Sequence, residues 1–596
     1  MRHILTILFI SVIVSVTLFA QQKDTVNVPD YYSTNGTEGT LNDAVQTAIT
    51  AGKLSNTVFK LSKYGLYILT GTITTPAGAT FEIVADPPGT TQQAAPPMVA
   101  WTESTAPNKA YLFDVPGQLK MKNIWLNWSG VEGTRFASTI RVGDSASVTG
   151  GRIECNNVIF DYVDQASSGA IQPYATHFRG IFKNCYFKNC TDAHFRYYSR
   201  AVSFPYNTTG LHSDTVSFEN CTFANIGYVY MQEGAEYGDN VFFNHCTFYN
   251  VVMFPLESGW WWKMYVTNSL FINTFMFGRI PANDGGGNGG TIAIAPIDSS
   301  TTLGAGFGFK VPFTEQDRRI LFANNNYYID QWLVDWMGYG PNGSPYSKAQ
   351  HKARHDDAVP TPQPMMNRVT KAFFDSTDAN GKKVFPYMNR TPTDSLDPGF
   401  INPPINLDSL KKFLNFKWDN NADCEWAWKP ENSYKYQKWP FEESLAYTNA
   451  TLKTAAMGGF PLGDLRWFPD QYSAWSAQAD KEHQFITNWL ETGSQSGSDV
   501  KEITGKKIPG EYVLNQNFPN PFNPTTQIQY SVPKNGYVSL KVYNAIGQEV
   551  AILFSGMQRA GNYEATFDGK GFSSGIYFYR LQADNVSITK KFVLLK

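Results

Sequence analysis

Between about Ile153 and Phe277 one short pattern returns four times with its register kept. It reads Asn184-Cys185-Tyr186-Phe187-Lys188-Asn189, Asn220-Cys221-Thr222-Phe223-Ala224-Asn225, His245-Cys246-Thr247-Phe248-Tyr249-Asn250 and Asn268-Ser269-Leu270-Phe271-Ile272-Asn273. First positions are 36, 25 and 23 residues apart, which suits a coil of roughly 20 to 30 residues with one longer insertion. Asn157-Val158-Ile159-Phe160 is a looser copy, and Asn123-Ile124-Trp125-Leu126 and Asn325-Asn326-Tyr327-Tyr328 extend the series.

The second and fourth positions of each copy have the period-two spacing that puts both side chains on one strand face. That face is the inward one. No apolar 3.6-residue period accompanies it, so helical repeats are disfavoured and a parallel β-solenoid remains. In a solenoid, equivalent residues stack at the strand spacing of about 4.8 Å. The flanking Asn residues, Asn184, Asn189, Asn220, Asn225, Asn250, Asn268 and Asn273, then read as turn ladders, each amide bonding to the next coil. Phe187, Phe223, Phe248 and Phe271 form the core file. The whole resembles the right-handed parallel β-helix of the pectin-lyase-like superfamily over about residues 35 to 345, a structural likeness that carries no activity with it.

Six cysteines invite a disulfide reading. Cys185, Cys221 and Cys246 hold the same inward position, however, and parallel side chains approach poorly for the roughly 90° disulfide dihedral. Buried thiols acting as small hydrophobes are the favoured reading over metal binding, since no CxxC or paired-His spacing is present.

Met1-Arg2-His3 followed by the apolar stretch Ile4 to Phe19 and Ala20 reads as a signal peptide over residues 1–20, too short and wrongly flanked for a stable span. With 596 residues, two or three domains fit. Lys plus Arg (49) nearly balances Asp plus Glu (51), so no basic field favours nucleic acid. Thr40-Leu41-Asn42-Asp43 reads as a capping box opening a helix that plugs the solenoid, whose end must be covered. Residues 85 to 110, rich in Pro and Ala, read as a loop, and the glycine clusters of residues 281 to 309 read as a flexible excursion rather than a phosphate loop.

Residues 21–345 are thus assigned to the β-helix with its cap, and residues 346–490 to packing along it and closing its far end. The stretch 491–510 reads as a linker. Within the second region, Gly459-Phe460-Pro461-Leu462-Gly463-Asp464-Leu465-Arg466-Trp467-Phe468 is similar to a closing motif of exported β-helix proteins. Residues 511–596 alternate short strands and turns, as a small antiparallel Ig-like β-sandwich would. The opening Asn515-Gln516-Asn517-Phe518-Pro519-Asn520-Pro521-Phe522-Asn523-Pro524, with Val542-Tyr543-Asn544-Ala545-Ile546-Gly547 and Ser574-Gly575-Ile576-Tyr577, resembles the type A C-terminal sorting domain of the type IX secretion system. That likeness implies export, with the secretion machinery as partner, and release or attachment at the outer-membrane surface. The plain alternative is an Ig-like adhesion module.

For chemistry, relatives of this fold that cleave acidic polysaccharides hold Ca²⁺ on carboxylates and use Arg or Lys as base, or use clustered Asp. Neither set is present in recognisable form. Counting nine residues from each ladder Phe aligns Arg196, Gln232 and Glu257 on adjacent coils; Asp192, His194 and Arg196 alternate along one strand, with Glu233, Glu236, Asp239, Lys263 and Arg279 near the same edge. Mixed charges on a solenoid surface also serve solubility alone. Aromatic residues make up 15% of the chain. Tyr197, Tyr198, Tyr228, Tyr230 and the run Trp260-Trp261-Trp262 exceed what an interior needs, and read either as sugar-stacking rings or as packing beneath a loop. Two functions follow. The favoured one is a surface protein that binds polysaccharide through Tyr197, Tyr198, Tyr228, Tyr230, Gln232, Trp260, Trp261 and Lys263. The other is a uronate lyase, or less readily a hydrolase, using His194, Arg196 and Glu257, with Ca²⁺ as the cofactor if a lyase.

Overall fold

The computed structural model describes residues 23–101, 111–128, 139–144, 150–163, 169–191, 199–205, 211–232, 237–253, 255–276, 290–297, 311–337, 362–404, 407–408, 410–411, 414, 438–494, 500–503, 509–534, 536–558, 560–583 and 586–595. The expected signal peptide and the glycine clusters lie outside them.

Each coil visits three sheets in turn. Phe178–Lys183 belongs to the first, Tyr186–Cys190 to the second and Arg200–Ser203 to the third, and the next coil repeats the visit with Ser213–Glu219, Thr222–Ile226 and Tyr228–Met231. The three sheets hold eleven, nine and eight strands, and every pairing in them is parallel. This is a parallel β-helix.

The Phe file is its spine. Phe160, Phe187, Phe223, Phe248 and Phe271 stand in strict register. Their rings stack with centroids 4.3, 5.2, 5.2 and 4.4 Å apart, near the strand spacing itself. Offset stacking of buried rings adds to the burial energy of each coil. A second file, Phe182, Phe218 and Phe243, rises from the first sheet at 4.7 and 4.8 Å.

The Asn positions turn the corners into and out of the second sheet. Asn189, Asn225, Asn250 and Asn273 have φ between 52° and 56°, a left-handed conformation that Asn adopts more readily than other residues with a Cβ. Their amides form a continuous ladder: Asn225 donates to Asn189 (3.3 Å), Asn250 to Asn225 (3.1 Å) and Asn273 to Asn250 (3.1 Å). The corner before the strand is wired differently. Asn184 donates to Asn156 (3.2 Å) and Asn268 to Asn244 (2.9 Å), one position off the expected column, while the Asn220 side chain accepts from the Leu465 amide. Between the two corners Cys185, Cys221 and Cys246 are buried without disulfides, and burial pushes the Cys221 and Cys246 thiols well up.

Both ends are covered. Helix Thr40–Thr50 buries Leu41, Val45 and Ala48 in the same cluster as Leu54 and Phe59 of the first coil. The expected capping box does not form: Gly39, at φ 77°, is the N-cap, and Asn42 instead donates to Gly71 O (2.9 Å) and accepts from Thr70 N (3.2 Å). At the far end Met388–Arg390 pairs with Arg319–Ala323, and helix Arg368–Asp375 buries Phe373 and Phe374 against the last core layer. Met98–Trp101, expected in a loop, is a fully buried strand of the second sheet; composition reported the Pro-rich turn before it and missed four apolar residues.

The second sheet is apolar on its inward face and largely so on its outward one, where Lys188, Thr222 and Thr247 bond to the chain that covers it. Its outward residues, among them Tyr186, Ala224, Tyr249, Leu270 and Ile272, are covered by Leu445, Tyr447, Leu452, Ala456 and Leu462. Residues 438–468 therefore act as a strap along that face. Helix Ala479–Thr492 continues onto the first sheet, packing Phe485, Ile486 and Trp489 against Leu321 and Ala323.

The C-terminal unit is a sandwich of two four-stranded antiparallel sheets around Ile528, Tyr530, Leu540, Tyr579, Leu581 and Phe592. Val500–Glu502, within the stretch read as linker, is an edge strand of it. In the opening motif the Asn517 amide N–H donates to Tyr579 Oη (2.9 Å), and the Asn517 side chain donates to Pro519 O and Thr526 Oγ1. Phe522 fills the sandwich core.

Candidate functional site

Where the strap leaves the second sheet it forms a cleft of about 230 Å³, lined by Trp439, Phe441, Glu443, Arg466, Trp467 and Asn157 among others. Each wall is held from behind. The Trp439 indole donates to Gly89 O (2.7 Å) and its backbone N–H to Gln92 Oε1 (2.8 Å). Phe441 packs edge-on against Trp439, Trp125 and Tyr186, with centroids 5.0, 5.2 and 5.7 Å away. The Trp467 indole donates to Thr222 Oγ1 (3.0 Å), and its ring stands at 90° to Tyr186.

The polar groups are equally fixed. Glu443 Oε1 accepts from Lys188 Nζ at 2.6 Å, and the same ammonium lies 4.1 Å from the centre of the Phe441 ring. Burial pulls the Lys188 ammonium down, but Glu443 and Asp161 together outweigh it and raise its pKa. Asp161, beneath them, is pushed up to about 6 by burial, with Lys188 and Asn189 holding it from going further. The Arg466 guanidinium donates to Asn184 O and lies 5.7 Å from the Tyr186 ring centre. Asp464 is likewise raised to about 6 by burial; it accepts from Thr222 Oγ1 (2.7 Å) and from the Arg466 backbone N–H. The result is a rigid, half-open cleft with three aromatic faces, one carboxylate and one guanidinium.

The residues singled out from the sequence are scattered. His194, Arg196, Tyr197 and Tyr198 lie outside the described residues, as do Asp192, Glu233, Glu236 and Arg279. Glu257 has a described backbone only, opposite Met231 rather than Gln232, so the nine-residue count places it one step out of column. The distance from second to third sheet varies between coils, which a fixed count misses. Tyr230 and Trp261 point inward and are fully buried, so neither ring has a face for a sugar. Tyr228 is buried under the Arg200 guanidinium, and buried Gln232 accepts from Tyr230 Oη (2.7 Å) and donates to Tyr237 O (2.8 Å). Trp260 is half-buried; Trp262 stacks on Phe313, the packing reading of the Trp run. Lys263 pairs with Glu491 of the C-terminal helix. Of the cleft residues, Arg466 and Trp467 stand in the sequence as parts of a closing motif and Asn157 and Ile159 as parts of a repeat copy; Trp439, Phe441 and Glu443 carry no such signal.

Fold and chain organisation together define a class: a repeat protein, a parallel β-helix followed by a C-terminal sandwich with its own core. Residues 516–595 match the family model of the secretion system C-terminal sorting domain. The chain is accordingly a substrate of the type IX secretion system, delivered to the cell surface or the extracellular space. No curated protein and no solved structure matches the chain. Among the described residues no helix is long and apolar enough to cross a membrane.

Proposed function

We propose that this is a surface protein that binds polysaccharide without cleaving it, seating one sugar of the chain in the strap cleft. The observation that carries the reading is the grouping of Trp439, Phe441 and Trp467 around Glu443 and Arg466. Aromatic faces take the apolar C–H surface of a pyranose, while a few fixed polar groups select its hydroxyls and orient it. The cleft is smaller than the roughly 300–1,000 Å³ of pockets that enclose drug-sized ligands, and suits a single ring of a longer chain. Arg466 offers a cation to a uronate carboxylate.

The test is affinity electrophoresis of the whole protein in gels containing pectate, alginate or chondroitin. Retardation is expected in at least one, and Trp439→Ala is expected to reduce it about tenfold or more. Absence of retardation in all three, or equal retardation of Trp439→Ala, overturns the reading. The same polymers, followed for ultraviolet absorbance of an unsaturated product with Ca²⁺ present, are expected to give none; product formation would move the assignment to the lyase alternative built on His194, Arg196 and Glu257.

A further inference from the structure

A second cluster lies away from the strap, at the corner where the third sheet hands over to the first. His177 and His212 precede equivalent strands of successive coils, since Phe178 pairs with Ser213. Ser213 pairs with Gly238 and Val216 with Val241, so Asp214 and Asp239 stand at equal steps of neighbouring strands. Two carboxylates side by side across a ladder repel each other and destabilise the pairing unless a cation sits between them. The His212 imidazole lies between the two: its Nε2 is 3.2 Å from Asp239 Oδ2 and 3.9 Å from Asp214 Oδ1. One donor atom from each of the three lies within 4.8 Å of the other two.

We propose that His212 Nε2 and the Asp214 and Asp239 carboxylates hold a divalent first-row transition ion, Zn²⁺ being the best fit. Zinc bonds to N and O at about 2.0–2.1 Å in a tetrahedron, which sets ligands roughly 3.3 Å apart. The 3.2 Å separation already matches, and the 3.9 Å one, with the carboxylate pair within 4.8 Å, closes by side-chain rotation of the partly exposed aspartates. An imidazole in the set favours zinc over Mg²⁺ or Ca²⁺, which take oxygen donors. The surroundings are built for it. His177 Nδ1 lies 2.9 Å from Asp214 Oδ1, and Arg179 Nε 3.4 Å from Asp214 Oδ2, so both orient that carboxylate from outside. Asn240 Nδ2 donates to Asp214 O (2.7 Å), and the Tyr237 ring packs on His212 with centroids 4.5 Å apart. His212 is nearly buried, with 9% of its side chain exposed, whereas Asp214 and Asp239 keep 23% and 31%, leaving the fourth position open to water. Three protein ligands with one open position is the pattern of a zinc site that can still accept a ligand.

The experiment is calorimetric titration of the whole protein, stripped with chelator and dialysed, using ZnCl₂ alone. One saturable site per chain is expected, with no comparable heat from MgCl₂ or CaCl₂. His212→Ala and Asp239→Asn are each expected to weaken zinc at least tenfold while leaving the circular dichroism spectrum unchanged. Should His212→Ala fail to fold, the partly exposed Asp239→Asn decides alone. No saturable zinc binding, or wild-type affinity in folded Asp239→Asn, overturns the site and leaves His212 as an ion-pair partner of the two carboxylates.

Discussion

The Lys188 ammonium and the Glu443 carboxylate meet at 2.6 Å across 255 residues of sequence, with side chains only 10% and 14% exposed. Breaking a buried pair by removing one partner leaves the other charge stranded, at a typical cost of about 3–5 kcal/mol. Glu443→Gln is expected to lose roughly that much in urea unfolding followed by tryptophan fluorescence. The double change Lys188→Met, Glu443→Leu should recover most of it. A loss in Glu443→Gln under about 1 kcal/mol would mean the pair is solvated.

Asp161 gives the fold a pH dependence of opposite sign to the usual carboxylate. Its folded pKa of about 6 lies above the unfolded range, so between about pH 4 and pH 6 the native state holds a proton that the unfolded chain has lost. Stability from this group therefore falls as pH rises through that window and is level above it. Asp161→Asn keeps an acceptor for Asn189 and is expected to gain roughly 2–3 kcal/mol relative to wild type at pH 7 and little at pH 4. Equal gains at both pH values would contradict this.

The Asn ladder separates conformation from hydrogen bonding. Asn225 is buried, left-handed at φ 54° and bonded to Asn189 and Asn250. Asn225→Gly keeps the turn and loses the amide, for about 1–3 kcal/mol. Asn225→Ala loses both and is expected to cost about 1 kcal/mol more. If glycine proves the worse of the two by denaturant unfolding, the turn is not what selects Asn here.

Removing residues 511–596 takes away the matched sorting domain while leaving the β-helix strands intact. In a host with a type IX system the shortened chain is expected to stay inside the outer membrane, protected from added protease on whole cells. Surface exposure of the shortened chain would show that export uses another signal.

The Phe and Asn files were legible in the sequence because every coil solves the same local problem, a ring inward and a left-handed corner beside it. The strap was not. Asp464 bonds Thr222 and Glu443 bonds Lys188, partners more than 200 residues away, and such contacts leave no period in the strand that makes them. Tyr230 read as a surface ring because the third strand begins at a variable distance from the corner, and one step of register turns an outward side chain inward; Trp261 opens a strand of the first sheet, and alternation along the Trp run alone does not say which ring faces the core. The zinc cluster was half seen: Asp239 stood among edge charges, but only the stacking of coils brings His212 and Asp214 to it.

The strap precedes the sorting unit in the chain, with two helices between them, and it is what shields the outer side of the second sheet. A product cut short before residue 438 lacks the shield and the export address together. Incomplete copies thus leave that face bare and carry no pass to the outside.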